Sequence, residues 1–239
     1  MINLIRNLNL INLKYIFTND NSDGQVNFEV IFSDSAGNSG DIVTGTTNSS
    51  YTIFDKVPPS DFTVQDVITA GENSIANAWN STNSAININI PVANDESLDS
   101  GRVQIIAKVA NNDFENLDGY LFLQSNDLNN SKIVSVSESL VESISGFSEN
   151  DTITISAIIY DVPGNMTIGS ESNTKLFINQ SIPIIINSNI ESDFSDSSLA
   201  GVDNIITLIF ETDTEIIIPS VTISGQEAII VNLGDNEWQ

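Results

Sequence analysis

The 239-residue chain contains no cysteine and no histidine. Without cysteine there is no disulfide, no thiol nucleophile and no thiolate zinc site. Without histidine the usual general base and the commonest transition-metal ligand are missing. Ser-His-Asp and Cys-His enzymes are excluded. A carboxylate pair, a Ser-Lys dyad, or an oxygen-ligated calcium or magnesium ion are the chemistries left. Basic residues are nearly as scarce: seven Lys and Arg stand against 32 Asp and Glu, a formal net charge of −25. Nucleic acid and anionic lipid are bound through Lys and Arg, so both are unsuited as partners. The acidity serves solubility or divalent-cation binding, and composition alone does not separate the two. No run of roughly 20 apolar residues offers a membrane span. The opening MINLIRNLNLINLKYIF is superficially leader-like, but Asn3, Asn7, Asn9 and Asn12 interrupt it, Arg6 and Lys14 lie inside it, and no small-residue cleavage site follows. It reads as strand material.

What is present points to sheets. Hydrophobic residues make up 40% of the chain, and Ile and Val dominate them, a β-branched bias that favours strands. The polar remainder is rich in Asn, Ser, Asp and Thr, which favour turns and are poor helix formers. Apolar and polar residues alternate through SAININIPV (84–92) and much of GRVQIIAKV (101–109), with turn clusters ANDESLDS (93–100) and SNDLNN (125–130) between runs. Short strands at this spacing predict an all-β sandwich. Only SESLVESISGF (137–147) has the look of a helical turn.

An internal repeat organises the chain. GQVNFEVIFSDSAGNSG (24–40) and DTITISAIIYDVPGNMTIG (151–169) each run an alternating strand into Asp-x-x-Gly-Asn. Asp34 and Asp161 lie 127 residues apart, as do Gly37 and Gly164. Val26, Phe28, Val30 and Phe32 match Ile153, Ile155, Ala157 and Ile159, so each set predicts one buried strand face. A further strand ends near Pro58 and near Pro183. Proline cannot extend a ladder and restricts the residue before it, so each marks a linker. The expected division is a partial unit 1–57, a complete unit 58–182 and a partial unit 183–239.

The strand into IFSDSAGNSG (31–40), the strand through TTNSSYTIFD (46–55) and the Asp-x-x-Pro linker at Asp55 and Pro58 resemble bacterial Ig-like domains, repeated in tandem in adhesins and other surface proteins. LAGVDNIITLIFETDTEI (199–216) and PSVTISGQEAIIVNLGDNEW (219–238) are similar to the opening half of that family. Gln180 departs from it, standing where a linker Asp is expected, and Val202 and Asn204 flank Asp203 where a Gly-Asp pair is common. The resemblance implies tandem immunoglobulin-like β-sandwiches, one complete unit flanked by two partial ones. It further implies a non-enzymatic spacer or adhesive stalk outside a bacterial cell, with neighbouring Ig-like repeats as partners and surface glycans or a cell-surface ligand as possible targets. The alternative is an accessory or carbohydrate-binding module of a secreted hydrolase, for which Trp79 would be a stacking platform rather than a core residue. The partial units are either pieces of a longer reading frame or halves that complete one another between copies.

Asp-x-x-Gly-Asn has two readings: a type I turn opened by Asp, or a calcium loop. If the family's strand order holds, Asp161 and Asn165 share a pole with Asp95, Glu96 and Asp99 of the ANDESLDS loop and with Asp55 of the incoming linker. Calcium takes 6–8 oxygens, so such a set would form a joint-stiffening site, weaker at the Gln180 joint. Residues 19–24 (NDNSDG) mimic the start of an EF-hand, but position twelve is Val30 and not Glu, which favours a hairpin turn.

Overall fold

The computed structural model describes residues 12–117 and 119–239; most of the leader-like opening therefore lies outside the described residues. Among these residues the chain is all-β, with one helical turn α1 (Glu138–Val141) inside the segment singled out for it. Two short strands come first, β1 (Gly24–Gln25) and β2 (Ile53–Phe54), paired antiparallel. The central stretch follows, with β3 (Val67–Gly71), β4 (Ala78–Trp79), β5 (Asn83–Val92), β6 (Arg102–Val109), β7 (Glu115–Asn116), β8 (Leu121–Phe122), β9 (Asn130–Ser137), β10 (Thr152–Tyr160), β11 (Met166–Ile168) and β12 (Leu176–Ile178). Last come β13 (Ile185–Ser192), β14 (Ile206–Thr212), β15 (Thr222–Ile223), β16 (Gln226–Glu227), β17 (Asn232–Gly234) and β18 (Glu237–Trp238).

The central strands form two sheets around one core. One sheet has the order β3-β5-β9; the other runs β4-β12-β10-β6-β7, with β11 also on β10 and β8 on β6. Strand β5 follows the alternation read from its sequence: Ile86, Ile88, Ile90 and Val92 are buried, while Asn87, Asn89 and Pro91 are half-buried. Opposite them in the other sheet, β6 buries Val103, Ile105, Ala107 and Val109, and β10 buries Ile153, Ile155, Ala157 and Ile159. These two strands pair antiparallel from Ile153↔Val109 to Tyr160↔Arg102. Each fully buried Ile or Val contributes roughly 1.5–3 kcal/mol relative to exposure, which makes this pair of faces the main stabilising element.

The entering chain changes sheets. Val64 N–H donates to Ser170 O at 3.2 Å, in the larger sheet, and Gln65 N–H donates to Asn89 O at 2.9 Å, in the smaller one. Pro91 lies just past this crossing, where no partner requires the N–H it lacks. The hydrophobic core spans residues 64–178; elsewhere among the described residues only Phe210 and Trp238 are buried apolar side chains. In the first segment, Phe28, Val30 and Phe32 repeat the alternation of β10 but stay 41%, 42% and 52% exposed, because no second sheet among the described residues faces them.

Candidate functional site

The Asp-x-x-Gly-Asn loop joins β10 to β11 and is built around one carboxylate. Asp161 is fully buried. Its Oδ1 accepts the Gly164 and Asn165 backbone N–H groups, each at 2.7 Å, and its Oδ2 accepts Asn165 Nδ2–H at 2.8 Å. Asp161 N–H in turn donates to Asn165 O at 3.0 Å, closing the loop. Gly164 sits at φ +106°, a conformation that a residue with a Cβ adopts only under strain.

The earlier copy folds the same way. Asp34 Oδ1 accepts from Ala36 N–H at 2.9 Å and Asn38 N–H at 2.8 Å, Oδ2 accepts Asn38 Nδ2–H at 2.8 Å, and Asp34 N–H donates to Asn38 O at 2.9 Å. These bonds hold the Asp34 carboxyl below its ordinary pKa, the Asn38 side chain contributing most and the backbone N–H groups adding to it. Both copies thus use the carboxylate as the hub of a turn. What differs is burial, since Asp34 is exposed.

Of the residues expected to share a pole, the structure shows the following contacts. Asp95 caps a single 3-10 turn, Glu96–Leu98, by accepting Ser97 N–H at 2.9 Å. Val162 N–H donates to Ser97 O at 3.0 Å, tying the two loops. Asn165 Nδ2–H donates to Asp55 O at 3.2 Å, and Thr167 Oγ1–H donates to Pro59 O, which fastens the incoming linker. The Asp55 carboxylate accepts Val57 N–H at 2.9 Å, while Glu96 and Asp99 are exposed. As an ion shell the donor set fits poorly. Three of the Asp161 lone pairs are taken by N–H groups, and no three acidic side chains among the described residues converge closely enough to hold a metal.

Two other sequence signals resolve into structure. In the EF-hand-like segment, the Asn19 and Asn21 carbonyls each accept Lys56 Nζ–H at 2.7 Å, and Asp23 Oδ1 accepts Lys56 N–H at 2.7 Å. An ammonium group occupies the loop, which folds as a turn. Trp79 is fully buried, its indole N–H donating to Glu142 Oε1 at 3.2 Å. Trp238 is also buried, 4% exposed, with no acceptor for its Nε1.

Sequence reasoning missed the pair Glu142 and Glu149. Gln180 N–H and Ser181 N–H donate to Glu149 at 2.9 and 3.2 Å, and Gln180 Nε2–H donates to Glu142. A carboxylate at position 180 would face Glu142, whereas the amide donates to it; Glu149 is met by backbone N–H groups instead. The Gln180 joint, expected to be the weaker, is therefore held by direct hydrogen bonds. Arg102 was also missed; its guanidinium lies 4.6 Å from the Tyr120 ring centre and 4.3 Å from that of Tyr160. Its scarcity was the available signal, as one of two arginines in the chain. Five surface clefts carry at most one acidic side chain each, so none brings together a glycosidase-type pair.

Comparisons with protein-family models, with curated proteins and with solved structures find no match to this chain. No helix among the described residues is long and apolar enough to cross a membrane.

Proposed function

We propose that the chain is a segment of an array of immunoglobulin-like β-sandwich units, serving outside a bacterial cell as a non-enzymatic spacer or adhesive stalk. The observation that carries this reading is the repeated Asp-x-x-Gly-Asn loop. It occurs twice around the same paired Asn contacts, differing in one backbone donor because Pro163 replaces Ala36, and in the central unit its Asn165 grips the linker that enters that unit. A loop that closes one unit and clamps the linker leading into it is what a stiff spacer requires. The joints lie around residues 55–59 and 180–183. The burial of Trp79 weighs against the carbohydrate-module alternative, which needs an accessible stacking face.

Calcium at the first joint is the conditional part of the proposal. Asp55, Asp95, Glu96, Asp99, Asp161 and Asn165 would have to rearrange around the ion, and the linker would gain rigidity in return. Thermal melts of the full chain in millimolar calcium and then in chelator decide this. A ligand that binds only the folded form at 100 times its Kd adds about 2.7 kcal/mol, so calcium binding raises Tm by several degrees. An unchanged Tm removes calcium and leaves a plain spacer. Strong acrylamide quenching of Trp79 fluorescence in a Trp238→Phe variant, relieved by added oligosaccharide, would replace the spacer with the sugar-binding alternative.

A further inference from the structure

The central unit shows what covers a face that the two flanking segments leave bare. Its β10 has β11 and β12 along one edge and β6 along the other, and it shares a core with the β3-β5-β9 sheet. Residues 12–57 reproduce only part of this. The strand through Val26, Phe28, Val30 and Phe32 pairs with later residues, Val30 with Val43 and β1 with β2, as β10 pairs with β11 and β12. Among the described residues, the edge that β10 gives to β6 carries no strand and no sheet lies over the apolar face.

Residues 183–239 supply the missing part. The order β13-β14-β18 parallels β3-β5-β9, with both neighbours antiparallel to the middle strand. After β14 comes β15, as β6 follows β5, and among the described residues β15 pairs only with β16. Between them lies an apolar groove of about 500 Å³, lined by Ile206, Leu208, Phe210, Val221, Ile223 and Val231 among others. Trp238, whose indole N–H lacks an acceptor, is buried beside Phe210 in the same sheet. One segment has the sheet and groove without a β10; the other has the β10 without a sheet.

We propose that residues 183–239 of one copy accept residues 12–57 of a second copy, completing a sandwich in trans. The incoming strand 26–32 runs antiparallel along the free edge at 221–223, and Phe28, Val30 and Phe32 close the groove. A contact of this kind joins different surfaces, so it generates head-to-tail assemblies, open filaments or closed rings. Charge opposes it: residues 183–239 hold ten acidic and no basic residues, and residues 12–57 hold six acidic and two basic ones. Association therefore strengthens with salt, as the screening length falls from roughly 10 Å at 0.1 M to roughly 3 Å at 1 M. The proposal rests on the repeat reading above and is independent of calcium and of location.

Light scattering on the full chain, from micromolar to millimolar, tests it. The expected result is a mass that climbs in whole multiples of the chain with concentration and with salt. Val30→Asp spoils the incoming strand and Leu208→Asp spoils the groove, so each variant alone stays monomeric. Mixed, they retain one good groove and one good strand, and the mass doubles to a dimer and stops there. A strict monomer at millimolar concentration in high salt overturns the pairing. So does a mixture of the two variants that stays monomeric while the wild type associates, or equal self-association of either variant alone. In each case the melt of the central unit remains as the separate check on the repeat reading.

Discussion

Replacing Asp161 and Asp34 with alanine, one at a time, isolates what burial does to a single turn motif. Each carboxylate accepts three N–H groups, two of them from the corresponding Asn, yet Asp161 is fully buried and Asp34 exposed. Removing Asp161 takes the acceptor from the Gly164 and Asn165 backbone N–H groups and from one N–H of the Asn165 amide, whose nitrogen keeps Asp55 O. A donor left unsatisfied out of reach of water costs about 1–3 kcal/mol; Gly164 is exposed and Asn165 half-buried, so only part of that cost applies to each. With loop relaxation and water entry, Asp161→Ala loses about 3 kcal/mol in all. At an unfolding entropy near 2.1 cal/mol/K per residue, the central unit's Tm falls by about 10 °C. Asp161→Asn keeps an acceptor for both backbone groups but turns an NH2 against the Asn165 amide, and loses about 1–2 kcal/mol. Asp34→Ala releases N–H groups that water satisfies, and leaves the main transition within about 1 °C of wild type. Differential scanning calorimetry of the three variants in chelator reads all of this without a contribution from metal. Equal shifts for Asp34→Ala and Asp161→Ala would refute the reasoning, since burial would then not be the deciding quantity.

Four further outcomes are expected. Gly71→Ala places a Cβ 2.2 Å from Thr82 O at φ +148°, and chemical denaturation should register a loss of about 2–4 kcal/mol. Ile155→Ala opens a cavity where β10 faces the opposite sheet, at a cost of about 2–5 kcal/mol in the same assay. Trp79→Phe removes the indole bond to Glu142 and costs about 1–3 kcal/mol, with the emission of the remaining tryptophan unchanged. The Gln180 and Ser181 backbone N–H groups, Gln180 first, hold the Glu149 carboxyl below its ordinary value of 4.5. The folded pKa thus lies below the unfolded one, so this stabilisation is present above about pH 4.5 and lost as pH falls through the folded value. Hydrogen-exchange protection of the Gln180 and Ser181 amides should fall over that acid window, and Glu149→Gln should remove the pH dependence.

The period-two pattern of SAININIPV and the one-turn helix at 138–141 were legible because they are local: alternation and propensity act within a few residues. The repeat of Asp34 and Asp161 was legible for the same reason, because the hub carboxylate and its donors lie within four residues of one another. Absent Cys and His closed off whole chemistries with no structure at all.

Burial and partnership across long separations were decided only in three dimensions. Trp79 meets Glu142 from 63 residues away, and Asn165 meets Asp55 across 110. Lys56 reaches back to Asn19 and Asn21 and places its ammonium group against the carbonyls that an EF-hand would turn to calcium. Gln180, a lost carboxylate when read along the chain, gives its side-chain amide to Glu142 and its backbone N–H to Glu149. Val26, Phe28, Val30 and Phe32 carry the same alternation as β10, and whether such a face is core or surface depends on a second sheet that sequence pattern cannot supply. Pattern sets which side of a strand is apolar. Only the tertiary arrangement determines what, if anything, lies against it.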